Sequence, residues 1–300
     1  MLHITGVLPA LLTPFDDEGN VWPAAMRDMV EWQLAEGVAG FYILGSTGEG
    51  LLLSQAERAG FAEAVVKQVR GRAPVIVHVG AMTTREACAL AAHAEQAGAD
   101  AISAIPPIYF PVGVEGAKQH YLAIGRACSL PFYVYNIPGA TGLNVSVDML
   151  RDLLGTMPTL RGIKYTAYDY FAMRKIIDLE GGRLNVISGA DEMMISALAM
   201  GAEGAIGVTQ NVLPCLLGET YRALRTGDIT TAQANQARIN RVVDVFLQFP
   251  LQSAIKQMIA WLGFPCGTAR LPILPLTDQQ CGRLREMLEG VGFFQFAHHR

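Results

Sequence analysis

The side chains best suited to covalent or proton-transfer chemistry stand where short apolar segments of the chain end. Lys164 ends segment 160–164, Tyr135 ends segment 131–135, and Ser46 and Thr47 follow segment 39–44. A lysine amine withdrawn from water loses its proton more readily and can attack a carbonyl carbon, and a nearby phenol can move protons. These residues predict chemistry on a carbonyl compound if the fold brings the segments together.

Lys164 differs in its setting from most of the other lysines in the chain. Lys67, Lys118 and Lys175 lie in helical patterns with polar neighbours, which predicts solvated side chains. Lys164 ends a strand pattern, and we expect it to project into an active site as a nucleophile. The alternative is a lysine that reaches solvent from a strand end or pairs with the carboxylates at positions 191 and 192.

The turn that contains Ser46 and Thr47 is flanked by glycines. Its backbone N–H groups and two hydroxyls could hold a carboxylate. An ordinary strand-to-helix turn would explain the same residues. Tyr135 is likewise open to two interpretations, as a proton-transfer phenol or as an aromatic residue that lines the fold.

Short apolar segments alternate with helical patterns along the first three quarters of the chain. Most of these segments are continuously apolar, as in parallel strands covered on both faces. Eight strands joined by helices, with no Gly-x-Gly-x-x-Gly after the first, predict an α/β fold of the (β/α)8 TIM barrel type rather than an open sheet. The predicted strands are 6–12, 39–44, 74–79, 100–105, 131–135, 160–164, 184–188 and 204–208.

Strand signals stop near residue 212, and helical patterns follow. We therefore expect a barrel over 1–225 that carries the active site, and a C-terminal helical extension over 226–300 packed on it. The predicted helices are 212–226, 229–247, 251–262 and 278–289, and capping boxes are predicted at Ser54 with Glu57, Thr83 with Glu86, and Thr277 with Gln280.

Composition excludes several classes of function. The chain is 51% hydrophobic and 17% charged, with a net charge of −4, so it can bury a large core but offers no basic surface for nucleic acid. No apolar run of 18 residues and no secretory signal is apparent, which predicts neither a membrane span nor export. The five cysteines are scattered, without Cys-x-x-Cys, as expected for free thiols in a reducing cytoplasm. We expect no metal.

Three motifs together resemble one enzyme family. They are segment 45–49 (Gly-Ser-Thr-Gly-Glu), segment 135–138 (Tyr-Asn-Ile-Pro) and segment 162–164 (Gly-Ile-Lys). Their order and spacing resemble the dihydrodipicolinate synthase / N-acetylneuraminate lyase family over almost the whole chain. The resemblance implies a class I aldolase-type barrel that forms a Schiff base with a 2-keto acid such as pyruvate, needs no cofactor and assembles as a homotetramer.

The resemblance also implies roles for individual residues. Lys164 would form the imine, Tyr135 would transfer protons with help from Thr47, and Ser46 and Thr47 would hold the keto-acid carboxylate. Tyr109 matches the family tyrosine that reaches into a neighbouring subunit's site. Further substrate-binding positions, around the sugar tail in the lyase branch, are Thr166, Gly189, Asp191 and Glu192.

Departures from the family pattern bear on the substrate. The synthase branch typically carries an arginine where this chain has Ala140, which weighs against the synthase. Val208 replaces the serine of the lyase branch and cannot donate a hydroxyl to a sugar. We expect cleavage of a 2-keto-3-deoxy sugar acid, with N-acetylneuraminate favoured, to pyruvate and an aldehyde sugar. The alternatives are dihydrodipicolinate synthase, a keto-deoxy sugar acid dehydratase, or a non-enzymatic keto-acid or sugar sensor.

Overall fold

Eight parallel strands form a barrel in the computed structural model, which describes residues 2–297. From β2 to β8 each strand pairs with its sequence neighbour, and β1 pairs with β8. An isolated parallel bridge between Ala10 and Tyr42 joins β1 to β2 and closes the ring. The strands are β1 (Gly6–Pro9), β2 (Phe41–Ile43), β3 (Val75–His78), β4 (Ala101–Ala104), β5 (Phe132–Asn136), β6 (Leu160–Tyr165), β7 (Asn185–Ser188) and β8 (Gly204–Gly207).

Helices cover the outside of the barrel and continue beyond it. The structure confirms the predicted TIM barrel with C-terminal helices, and each predicted strand overlaps an observed one. The helices are α1 (Pro23–Ala35), α2 (Gln55–Val69), α3 (Thr84–Gln96), α4 (Gly113–Arg126), α5 (Pro138–Thr141), α6 (Val147–Thr156), α7 (Tyr170–Ile177), α8 (Met194–Ala199), α9 (Pro214–Arg225), α10 (Ile229–Phe246), α11 (Leu251–Trp261), α12 (Asp278–Gly290) and α13 (Phe293–Ala297).

The strands are buried on both faces, which explains their continuously apolar sequences. One face packs against the helices. The other face fills the barrel interior with a separate apolar cluster that includes Leu8, Ile76, Ile187 and Ile206. Because the interior is packed, substrate chemistry has room only at the carboxyl ends of the strands.

Two of the three predicted capping boxes are complete. Ser54 and Thr277 each accept a hydrogen bond from the third helical residue and donate one in return to its side chain. At α3 only half of the box forms: Thr83 accepts from the N–H of Glu86, and the reciprocal bond from Thr83 N–H is absent within residues 2–297. The helix still begins where the sequence predicts, because one cap satisfies one of its unpaired N–H groups.

The C-terminal helices share the hydrophobic core of the barrel. Leu284 and Leu288 of α12 belong to the same buried cluster as Val7 of β1. The division at residue 225/226 stays a prediction, and the last three residues of the predicted extension lie outside the described part of the chain. Within residues 2–297, no helix combines the length and apolar character needed to cross a membrane.

Candidate active site

Lys164 lies at the carboxyl end of β6, among the rings of two tyrosines. Its Nζ atom is 4.1 Å from the centroid of the Tyr42 ring and 4.3 Å from that of Tyr135. The side chain is buried, and no carboxylate oxygen of residues 2–297 lies within 4.0 Å of Nζ. The alternative interpretation, an ion pair with Asp191 or Glu192, therefore does not fit the structure.

Burial lowers the pKa of the Lys164 amine below its usual value, and interactions with Tyr135 and the charge of Asp191 oppose this effect. Desolvation disfavours the ammonium form, so a larger share of the lysine is the neutral amine that can act as a nucleophile. Polarisable rings on two sides separate the amine from bulk water.

Tyr42 and His78 complete the aromatic surroundings of Lys164, and neither was predicted from the sequence. The Tyr42 ring packs edge-on against Tyr135 at 5.8 Å, and His78 does the same at 6.0 Å. The Tyr42 hydroxyl donates to Ser103 Oγ at 3.2 Å. Both residues lie within predicted strands. The one sequence signal that could have identified them is their position on strands that are neighbours in the barrel.

His78 is held as a neutral imidazole. Its Nδ1 lies 3.1 Å from the carbonyl oxygen of Leu44, and its Nε2 accepts from the N–H of Ile105 at 3.3 Å, an arrangement that requires the proton on Nδ1. Burial and the charges of Arg58 and Lys164 hold the pKa of His78 well below its usual range. The ring therefore acts as a fixed support for the turn after β2.

Ser46 and Thr47 lie in that turn, directly after Gly45, whose backbone closely approaches the Tyr42 ring. A Cβ atom built on Gly45 would lie 2.6 Å from Cε1 of Tyr42, so only glycine allows this approach. Within residues 2–297, the N–H groups of Ser46 and Thr47 donate to no protein acceptor. Two free N–H groups in a turn that approaches the Tyr42 ring form a suitable site for a carboxylate. A cavity of about 230 Å³ opens between this turn, His78 and Ile273.

Thr166 and Gly189 are in contact at the ends of β6 and β7. A Cβ atom on Gly189 would lie 1.8 Å from Oγ1 of Thr166. This hydroxyl is buried and has no hydrogen-bond partner among the described residues. A buried unpaired hydroxyl carries a desolvation cost that a bound ligand can relieve.

Asp191 is more enclosed than the sequence suggests. Its Oδ2 accepts from the N–H of Thr209 at 2.7 Å, and its Oδ1 accepts from Nε2 of Gln210 at 3.0 Å. Burial raises the pKa of this carboxyl, against the effect of these hydrogen bonds. Each oxygen of Asp191 thus already accepts one hydrogen bond and can accept a further one from a substrate hydroxyl. The charge of Asp191 also acts on the pKa of Lys164.

Glu192 lies at the outer end of the group and is half-buried. Its Oε1 accepts a hydrogen bond of 2.7 Å from the hydroxyl of Tyr168, a residue that was not predicted from the sequence. This bond, with burial, raises the pKa of Tyr168 to about 12. Tyr168 is 70% exposed and lies at the edge of the site.

Tyr109 is separate from the Lys164 group. It is 76% exposed in the segment after β4 and packs edge-on against Phe110 at 5.0 Å. The other predicted site residues all lie at the carboxyl ends of β2, β5, β6 and β7. Together they offer an amine nucleophile, a phenol, an anion-binding turn and hydroxyl-binding groups.

Comparisons with known proteins agree with this arrangement. Residues 3–290 match the model of the dihydrodipicolinate synthetase family. The N-acetylneuraminate lyase of Escherichia coli strain SMS-3-5 is 34% identical over 289 residues, which cover 96% of this chain and 97% of that protein.

Two solved structures represent both branches of the family. A Ruminococcus gnavus sialic acid aldolase, studied as a catalytic lysine mutant, has a TM-score of 0.93 and 28% identity, covering 98% of this chain and 97% of its own. A dihydrodipicolinate synthase from Bacillus anthracis has a TM-score of 0.92 and 30% identity, covering 96% and 99%. The fold alone therefore does not separate the two reactions.

Proposed function

We propose, because the chain belongs to the dihydrodipicolinate synthetase family, that it cleaves a 2-keto-3-deoxy sugar acid, N-acetylneuraminate being favoured, through an imine on Lys164. The chain is an enzyme of the pyruvate-dependent class I aldolase type, which excludes the alternative of a non-enzymatic keto-acid or sugar sensor. The observation that carries the proposal is the buried Lys164 amine between two tyrosine rings without a carboxylate counterion among residues 2–297.

The proposed reaction begins when the neutral Lys164 amine attacks C2 of the open-chain keto acid. Loss of water from the carbinolamine gives a protonated imine, which withdraws electrons from the neighbouring bond. The C4 hydroxyl then loses its proton, the C3–C4 bond breaks, and its electron pair forms the enamine as the aldehyde sugar leaves. Protonation of C3 and hydrolysis of the imine release pyruvate and restore the amine.

Tyr135 is the proposed proton carrier for these steps, assisted by Thr47. The Tyr135 ring lies beside the Lys164 amine, and its phenol is the acid–base group of the pair. The free N–H groups of Ser46 and Thr47 would bind the carboxylate. That contact fixes C2 of the substrate near Nζ.

The proposed sugar tail extends past Thr166 and Gly189 towards Asp191 and Glu192. The unpaired Thr166 hydroxyl and the Glu192 carboxylate suit the many O–H groups of a polyol. Val208 offers no hydroxyl at its position, and Gln210 of the same segment is committed to Asp191. The hydroxyl missing at position 208 favours the broader class of 2-keto-3-deoxy sugar acids, within which the 34% identical lyase makes N-acetylneuraminate the proposed member.

The two enzymatic alternatives use the same imine. Dihydrodipicolinate synthase activity is disfavoured by Ala140, which lies exposed in α5 and has no guanidinium to bind a second carboxylate. Dehydration of a keto-deoxy sugar acid would retain all carbon atoms in one product, so a product assay distinguishes it from cleavage.

The test is to incubate the protein with N-acetylneuraminate, reduce with borohydride and map adducts by peptide mass spectrometry. We expect a reduced pyruvyl group on Lys164 together with free N-acetylmannosamine. An adduct from added pyruvate but none from the sugar acid would overturn the choice of substrate. Absence of both adducts, or pyruvate release that survives Lys164→Ala, would overturn the mechanism.

The proposal includes a homotetramer in the cytoplasm. Tyr109, Phe110 and Val114 are exposed in one part of the surface, which is consistent with burial by a second subunit. Sedimentation at micromolar concentration is expected to give four times the chain mass. A monomer with full activity would contradict a shared active site.

A further inference from the structure

The turn after β2 contains two non-glycine residues with left-handed backbone conformations. Leu44 has φ 61° and Glu49 has φ 55°, and they flank Ser46 and Thr47. Non-glycine residues adopt this region at an energetic cost, so surrounding contacts must hold the turn in place. His78 provides one contact, through the carbonyl oxygen of Leu44.

Glu49 provides a second contact, through a buried ion pair with Lys256 of α11. Its Oε1 lies 2.7 Å from Nζ of Lys256 on α11, and the two side chains are 0% and 1% exposed. Its Oε2 accepts from the N–H of Arg270 at 2.7 Å. Both carboxylate oxygens are therefore held by residues from outside the barrel.

The remaining contacts of Lys256 fix its position. Nζ donates to the carbonyl oxygen of Thr268 at 3.0 Å and lies 4.0 Å from the centroid of the Phe15 ring. One turn of α11 earlier, Nε2 of Gln252 donates to the carbonyl oxygen of Ser46 at 3.2 Å. A single helix therefore contacts the turn at Ser46 and at Glu49, on both sides of Thr47.

We propose that Lys256 is a positioning residue for binding of the substrate carboxylate, and that it acts through Glu49 on the N–H groups of Ser46 and Thr47. The inference rests on the proposed function, since it assigns the carboxylate to this turn. The C-terminal helices thus help to position the turn that binds the carboxylate of the keto acid. Lys256 does not touch the reacting atoms.

The experiment compares pyruvate with methyl pyruvate, which keeps the ketone and replaces the carboxylate by a neutral ester. Each compound is trapped on Lys164 with borohydride over a range of concentrations, in the unaltered protein and in the Lys256→Met variant. We expect the apparent affinity for pyruvate to fall by about tenfold or more, as for misplaced donors to one charged group. Trapping of methyl pyruvate is expected to change by less than about twofold, because the amine itself is unaffected.

Two further variants separate positioning from general damage to the fold. Tyr133→Phe removes a buried hydrogen bond to Asn185 of 2.9 Å inside the barrel, and we expect it to lower stability without changing the pyruvate-to-ester ratio. Gln252→Ala removes only the contact with Ser46, leaves no buried charge, and is expected to weaken pyruvate binding about two- to threefold. It provides the test if Lys256→Met does not fold.

The outcomes are distinct for the two proposals. If the unaltered protein traps neither ligand on Lys164, the proposed function fails. If the unaltered protein traps pyruvate, the ratio of the apparent affinities for pyruvate and methyl pyruvate decides the second proposal. A ratio that is the same in the Lys256 and Gln252 variants as in the unaltered protein, with both ligands bound equally well or both weakened in parallel, would overturn the positioning role of Lys256.

Discussion

The protein contains two buried lysines in different electrostatic surroundings. Lys164 lies between aromatic rings, and no carboxylate of the described residues is within ion-pair distance. Lys256 lies 2.7 Å from a carboxylate oxygen of Glu49 and donates to a backbone carbonyl. Burial lowers the pKa of both amines. Burial of a lysine is therefore not enough to identify a nucleophile.

The partner of each lysine accounts for the difference. Glu49 favours the ammonium form of Lys256, which has no free electron pair with which to attack a carbonyl carbon. At Lys164 the nearest groups are ring faces and a phenol, which leave the amine free to bond to carbon. A buried charge that is paired acts as a structural support, whereas an unpaired buried amine is available for chemistry.

The largest effect is expected when the unpaired lysine is removed. Lys164→Met deletes the group that forms the covalent intermediate, so kcat/KM should fall by at least about 10⁴-fold and no reduced adduct should form. The same change at Lys256 should leave the adduct on Lys164 detectable at saturating pyruvate. An adduct on Lys256 in either variant, detected by peptide mapping, would invalidate the comparison.

Removal of the Tyr135 hydroxyl is expected to have the next largest effect on activity. Tyr135→Phe keeps the ring beside Lys164 and removes the proposed proton carrier, so kcat should fall by roughly 10²–10⁴-fold with little change in pyruvate binding. Tyr42→Phe is the matched control, because that ring also contacts the amine while its hydroxyl is committed to Ser103. Equal losses in the two variants would show that neither phenol has a specific role.

The sequence predicts the barrel and its C-terminal helices because both depend on local patterns. Continuous apolar segments and capping residues suffice to place strands and helices, and the half-formed box at Thr83 changes no element. Lys164 was found because it ends such a segment. Its neighbour Tyr42 was not, because its proximity to Lys164 depends on the closure of the barrel.

Contacts between residues far apart in the sequence explain why the remaining features of the site were not predicted. Lys256 stood unassigned in a helical pattern, since its partner Glu49 is far away in the sequence. Asp191 and Glu192 are adjacent in the chain and were predicted to act alike, yet one is bound by Thr209 and Gln210 and the other by Tyr168. Residue type and order do not reveal which oxygen atoms are already occupied.

Breaking the ion pair at Lys256 should affect stability more than chemistry. Lys256→Met leaves the Glu49 carboxylate buried without its counterion, so the free energy of unfolding should fall by about 3–5 kcal/mol. Adding Glu49→Gln should restore part of this loss, because the buried charge is then gone. Urea unfolding measures both, and Lys118→Met, at a surface ion pair, serves as the control. A double variant less stable than Lys256→Met would contradict this account.

The smallest effect concerns Asp191, a carboxylate whose charge acts on the pKa of the unpaired lysine. The carboxylate of Asp191 favours the ammonium form of Lys164 and so holds up the pKa that burial lowers. Imine formation needs the neutral amine, so its rate with pyruvate should rise with pH through the pKa of Lys164. In Asp191→Asn the rise should occur at lower pH, because the opposing charge is absent.

The structure offers a way to make that substitution without disrupting the site. Oε1 of Gln210 is buried and has no hydrogen-bond partner among the described residues, so its amide can rotate to accept from the side-chain amide introduced at position 191. Glu192→Gln is the control, since Glu192 is not among the groups that shift the pKa of Lys164. Stopped-flow trapping of pyruvate across pH measures the midpoint for each protein. A shift in the Glu192 variant equal to that in the Asp191 variant would mean that general surface charge, rather than Asp191, sets the protonation of the lysine.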